Sequence, residues 1–157
     1  MNSITLNPTQ TAQDQNIVQR VLNTDGYTAL PIRLVLGIVF AAHGAQKLFG
    51  WFGGYGLEGT GQWMASIGLE PGYFLALLAG SAEFFGGVAL LIGLAVRPAA
   101  LALAGTMVVA IFSAHWANGF FMSNNGYEFA LTLLAGSIAL VISGAGKLSI
   151  DHAISNK

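Results

Sequence analysis

Four apolar stretches dominate the chain after its first 28 residues, at Ala29–Phe49, 72–95, 97–117 and 127–145. Each approaches the roughly 20 residues that a helix needs to cross a hydrocarbon core about 30 Å thick. The breaks carry boundary chemistry. Pro31 suits a first helical turn, Arg97-Pro98 makes a tight connection, and the stretch 118–126, with Asn118, Asn124 and Asn125, is a polar turn. Between the first two stretches lies a glycine-rich segment, 50–61, followed by 62–69, where Trp63, Met64 and Ile67 recur at helical spacing. That piece is too short to cross and reads as an interfacial or re-entrant helix, with Trp63 and Met64 as anchors. The pattern predicts an all-α integral membrane four-helix bundle with a short interfacial helix between the first and second spans.

Three regions follow: a polar tail at 1–28, a membrane domain at 29–148 and a short end at 149–157. The tail has neither the basic start nor the unbroken apolar run of a secretory signal, and is expected to be a flexible tail or surface helix. An even number of spans puts both termini on one side. Arg20, Arg97, Lys147 and Lys157 fall on that side, whereas the opposite loops carry Glu58 and Glu70, so the positive-inside rule makes both termini cytoplasmic.

Composition sharpens the class. Charged residues are 8% of the chain against about 25% in a soluble domain, and hydrophobic residues are 54%. A net charge of -1 offers no basic field for nucleic acid, and the absence of cysteine removes disulfides, thiolate nucleophiles and cysteine-ligated metal.

Against this apolar background Arg33, His43, Lys47, Glu83, His115 and Glu128 stand inside or at the rims of the spans. A charge near the bilayer centre costs about 2.5–3.5 kcal/mol on insertion scales, so such groups face a bundle interior and mark substrate, ion or proton chemistry. Arg33, Leu36, Phe40, His43 and Lys47 follow helical spacing and predict one stripe. Ala76, Gly80, Glu83 and Gly87 predict another, in which every neighbour of the acid is small and another helix can approach closely. By depth, His43, Lys47, His115, Trp116 and Glu128 belong to the non-cytoplasmic half, with Glu83 near the middle of its span. Glu83 could equally be structural glue paired with Arg33 or His43.

The run HGAQKLFGWFGG at 43–54 resembles the signature of the DoxX family of small four-helix membrane proteins. The acid in AEFFGG at 82–87, the GLAVR turn at 93–97 and the late pair His115-Trp116 fit the same layout, and the resemblance covers nearly everything from Ala29 to Leu148. It implies a protein of the bacterial inner membrane described as an oxidoreductase, with relatives linked to thiosulfate:quinone oxidoreductase subunits.

In these residues a redox role requires a carrier off the chain, because no cysteine pair, haem-attachment motif or dinucleotide fold is present; neither nucleotide, haem nor iron-sulfur cluster is expected. A quinone is the candidate. His43 or His115 would donate to a carbonyl oxygen, Phe49, Trp51 and Trp116 would flank the ring, and Glu83 or Glu128 would relay protons. Lys47 would attract a small anionic substrate such as thiosulfate. A soluble redox partner or a second copy of the chain would complete the assembly. Two other classes stay open: a proton or small-solute transport module built on the same cluster, and an anchor subunit without chemistry of its own.

Weaker motifs point nowhere. GYGLEG at 54–59 matches a nucleotide fingerprint in letters, but no strand precedes it. GAGKLS at 144–149 lacks the first glycine of a phosphate loop, and Lys147 there is a cationic helix end near Arg97 and Asp151, which are expected to pair, as is Arg33. The spacing of His43, His115, Glu83 and Glu128 predicts no metal site, and His152 near the end reads as a solvated residue.

Overall fold

The computed structural model describes residues 26–155, and the expected tail at 1–25 lies outside them. The first helix, α1, runs Ala29–Phe49 and stops where Gly50 turns left-handed at φ 70°. A short 3-10 turn, Trp51–Gly53, leads into α2, Gly56–Ser66. Then come α3, Gly72–Ile92, and α4, Val96–Ala110, the latter continued by a π turn, Ile111–His115, and a 3-10 turn, Trp116–Asn118. A hairpin with a single 3-10 turn, Met122–Asn124, connects to α5, Glu128–Ser143, and a terminal α6 covers Ile150–Ser155.

Three of these helices, Ala29–Phe49, Gly72–Ile92 and Val96–Asn118, are long and apolar enough to cross a membrane. The fourth apolar helix, α5, has 16 residues, about 24 Å at 1.5 Å per residue, and so is shorter than the 127–145 span that hydropathy predicts. Side-chain ties at Glu128 and the backbone reversal at Gly144 set its ends. The outward faces carry Val35, Ile38, Leu78, Phe85, Leu101, Val109, Phe112 and Ile142, all exposed. In water this would be a costly surface; in lipid it is the expected one, because tails are as apolar as leucine. The chain is an all-α membrane protein.

Packing is organised by α3, which lies closest against α1 and touches α4, while α4 pairs with α5; α1 and α5 touch only lightly. The α1/α3 contact is close because glycine faces backbone on both sides. A methyl at Gly44 would overlap the backbone of Phe84, and one at Gly87 the backbone of Ala41. On α3 the predicted stripe holds, with Ala76, Gly80, Glu83 and Gly87 all buried. On α1 it holds for Arg33, Leu36 and Phe40 but not for His43, which is exposed: the buried face passes through Gly44 and Ala45 instead. The glycine needed for close approach takes the inward position, and His43 is left at the edge. Phe40, Leu90, Val96, Leu103, Leu140 and Ser137 form the fully buried centre.

The interfacial helix starts earlier than the expected 62–69, because Gly61 lies against the backbone of Tyr73 and Thr60 and Met64 are buried. Glycine serves there as a packing face. The second span ends at Ile92 rather than 95, where Gly93 adopts φ 72° and its N–H closes on Ala89 and Leu90, a left-handed helix stop.

Two ends of the bundle can now be distinguished. The loop end holds the segments 50–71 and 119–127. The terminal end holds residues 26–28, the α3/α4 turn and the stretch 144–155, joined by the Lys147 N–H to Gly26 O and by Asp151 N–H to Gly93 O.

Candidate functional site

At the loop-end half of α1, Lys47 reaches across to α3 and meets Glu83, Nζ to Oε2, at 2.5 Å. Glu83 is 3% exposed. It is placed by the small residues around it: Gly80 one turn earlier sits against Lys47 and Leu48, where any larger side chain would push the two helices apart. Among the described residues this is the one ion pair. The partner expected for Glu83, Arg33 or His43, is thus Lys47, four residues past His43 and one turn nearer the loops.

His43 lies within Coulombic reach of both Lys47 and Glu83, with Gln46 beside it. It is exposed at the seam between α1 and α5, where its ring is 6.1 Å from that of Phe129. An exposed imidazole inside a membrane span, backed by an ion pair whose acid is buried, is the least explained polar group of the fold on packing grounds alone. A separate aromatic row links α1 to α3. Phe49 packs against Trp51 at 5.1 Å and edge-on to Phe84 at 5.2 Å, and Phe84 continues to Phe85 at 5.3 Å.

His115, Trp116 and Glu128 occupy a second cluster. His115 Nδ1 donates to Asn125 O at 2.9 Å, and Asn118 Nδ2 donates to the same carbonyl at 3.3 Å. Glu128 Oε1 accepts from Met122 N–H at 2.6 Å. Trp116 stacks on Tyr127 at 5.2 Å with an interplanar angle of 18°. These groups clip the 119–127 hairpin, and they make no hydrogen bond or ion pair with His43, Lys47 or Glu83 among the described residues. The π turn at Ile111–His115 supports this geometry, since its extra residue per turn rotates His115 toward the hairpin.

Arg33, Arg97 and Asp151, expected to form ion pairs, instead act on backbone groups at the terminal end. Arg33, 2% exposed, donates from Nη1 to Ala145 O and from Nη2 to Leu148 O, each at 2.5 Å. Arg97 Nη2 donates to Ile142 O at 3.3 Å. Asp151 accepts the N–H groups of Ala95 and Val96 at 2.7 and 2.9 Å, capping α4 from another segment. No three His, Asp or Glu side chains converge as metal ligands among the described residues.

The sequence reading overlooked Phe84, Phe129 and Gln46. The signal was adjacent: each phenylalanine directly follows one of the two intramembrane acids, and Gln46 directly precedes Lys47.

The profile of the DoxX family matches residues 28–116, more than half of the chain, and that stretch holds His43, Lys47, Glu83 and His115. The chain belongs to the DoxX family. Among DoxX relatives it is 36% identical over 122 residues to "Putative oxidoreductase CatD" of Bacillus subtilis, covering 78% of this chain and 83% of that one. It is 35% identical over 134 residues to "Inner membrane protein YqjF" of Escherichia coli, covering 82% and 92%. An "Uncharacterized membrane protein Rv3486" of Mycobacterium tuberculosis is 32% identical over 150 residues, 88% of each chain. No solved structure matches.

Proposed function

We propose that this DoxX protein is a quinone-linked membrane oxidoreductase, or the membrane subunit of one, with its site at the His43 edge of the α1/α5 seam. One observation carries the reading: a lipid-facing imidazole, with the Phe129 ring 6.1 Å away, lies within Coulombic reach of the Lys47–Glu83 pair. A lipid-soluble ring entering from the bilayer needs that combination of apolar flank, donor and proton supply.

A bound quinone supplies two-electron, two-proton redox chemistry. The chain's own residues do the rest. His43 presents a ring nitrogen at the seam to donate a hydrogen bond. Lys47 and Glu83 stand behind it and replace a proton that leaves His43. Phe129 offers flat apolar surface at the seam, and the Phe49, Trp51 and Phe84 row adds apolar surface across the α1/α3 contact. His115, Trp116 and Glu128 fix the hairpin from which α5, and with it Phe129, emerges. Electrons come from a partner, since the sequence has no cysteine to hold them. A small anion such as thiosulfate reaches Lys47 only in competition with Glu83, which already holds the ammonium.

The name of the Bacillus relative supports the redox class, and that of the Escherichia relative supports an inner-membrane location. Both termini are assigned to the cytoplasm, because Arg33, Arg97 and Lys147 gather at the terminal end while Glu58 and Glu70 lie among the loops.

The test is the quinone content of protein purified in mild detergent, compared with folded His43→Ala and Glu83→Gln variants. Near-stoichiometric quinone that falls in both variants is expected. Trace quinone, equal in all three, would sink the proposal and turn the search to transport or anchoring.

A further inference from the structure

The terminal end contains a cleft of about 710 Å³, lined by Arg97, Ser143, Gly144, Gly146, Lys147 and Asp151 among others. Its walls come from four places in the chain: Gly26 ahead of α1, the start of α4, the end of α5 with the turn after it, and α6. Gly144 at φ 77° and Gly146 at φ 74° make that turn possible. A side chain at Gly144 would crowd the Arg97 guanidinium, and one at Gly146 the carbonyl of Gly26.

Two cations are held in place here. Arg97 is tied to Ile142 O, which leaves its other N–H groups directed elsewhere. Lys147 is fixed at its backbone by Gly26 O, and its ammonium stands 5.6 Å from the centre of the Tyr27 ring. Among the described residues the cleft's one carboxylate, Asp151, offsets one of these two charges, and both its oxygens are engaged by backbone N–H groups at the positive end of α4. With Arg97 and Lys147 against Asp151, the cleft carries an excess positive charge. It also opens where the helices end, at headgroup depth for a bundle whose faces are lipid-exposed. The same segments expose Ile142, Leu148 and Ile154 at 73, 57 and 61%, apolar surface beside a cationic cleft.

We infer that this cleft binds a phosphate-bearing anion, presented as the headgroup of an anionic phospholipid whose chains lie along the exposed isoleucine and leucine side chains. Arg97 grips phosphate oxygens through its planar fork and Lys147 adds a point charge. The inference stands apart from the quinone reading, since it concerns the opposite end of the bundle and other residues.

The experiment is native mass spectrometry of the full-length chain released from a neutral detergent. It is titrated with phosphatidylglycerol, with zwitterionic phosphatidylcholine as the comparison, and separately with inorganic phosphate. One phosphatidylglycerol per chain above the phosphatidylcholine background is expected. Arg97→Gln and Lys147→Gln should each weaken it by about fivefold. Arg97→Lys, which keeps the charge but loses the planar fork, should bind more weakly than wild type and more tightly than Arg97→Gln. Equal binding of the two lipids, or phosphatidylglycerol binding indifferent to both glutamine substitutions, overturns the inference. Inorganic phosphate that fills the site, depends on the same two residues and gains nothing from the lipid overturns the headgroup as its source and leaves free phosphate as the ligand.

Discussion

Lys47 Nζ and Glu83 Oε2 meet at 2.5 Å across the α1/α3 contact, with the acid buried and the lysine side chain 24% exposed. The pair is therefore asymmetric. Glu83 has the Lys47 ammonium as its hydrogen-bond partner, whereas Lys47 stays partly exposed.

That asymmetry predicts unequal single mutants. Lys47→Met strands a buried carboxylate and should cost about 3–5 kcal/mol, while Glu83→Gln keeps a hydrogen-bonding group and should cost less. The double variant Lys47→Met with Glu83→Leu should recover most of the loss. Thermal unfolding in detergent, arranged as a double-mutant cycle, checks this; a double variant as unstable as the sum of the singles would count against a coupled pair.

Glycine substitutions should separate contact from propensity. Gly44→Ala places a methyl against the Phe84 backbone, which cannot rotate away as a side chain would, and should cost about 1–3 kcal/mol or more. Gly105→Ala in α4 meets nothing within 4 Å and should be neutral or stabilise by up to about 1 kcal/mol. The same unfolding assay reads both.

Arg33 holds two carbonyls beyond the end of α5 from a position in the second turn of α1. Arg33→Lys offers a single ammonium in place of a planar fork and should not restore the wild-type midpoint. Arg33→Ala should cost about 3 kcal/mol or more by leaving those carbonyls unpaired and opening a cavity. Hydrogen exchange over residues 144–150 should rise in both variants.

Glu128→Ala removes the acceptor for Met122 N–H, and His115→Ala the donor to Asn125 O. Each should loosen the 119–127 hairpin, by about 1–2 kcal/mol of local stability. Faster proteolysis confined to that hairpin, with quinone content nearly unchanged, is the expected result. Loss of quinone equal to that in His43→Ala would instead place these residues in the redox site.

The amino-acid sequence alone determined the class of the molecule and the positions of its helices, because lipid solvation writes itself into the chain as long uncharged runs with polar breaks. It also marked Lys47 and Glu83 as exceptional, since a charge in such a run is costly wherever it points. What it could not decide was how each helix is rotated and which charges meet. Spacing put His43 on the inward stripe, but the close approach of Gly44 to Phe84 turned that face and left the histidine at the seam. Depth placed His115 and Glu128 beside the Lys47 group, yet hairpin carbonyls and N–H groups captured them first. Arg33, Arg97 and Asp151 likewise found backbone partners from segments distant in sequence. Rotation and pairing are set by contacts between helices, and those contacts exist only once the chain has packed.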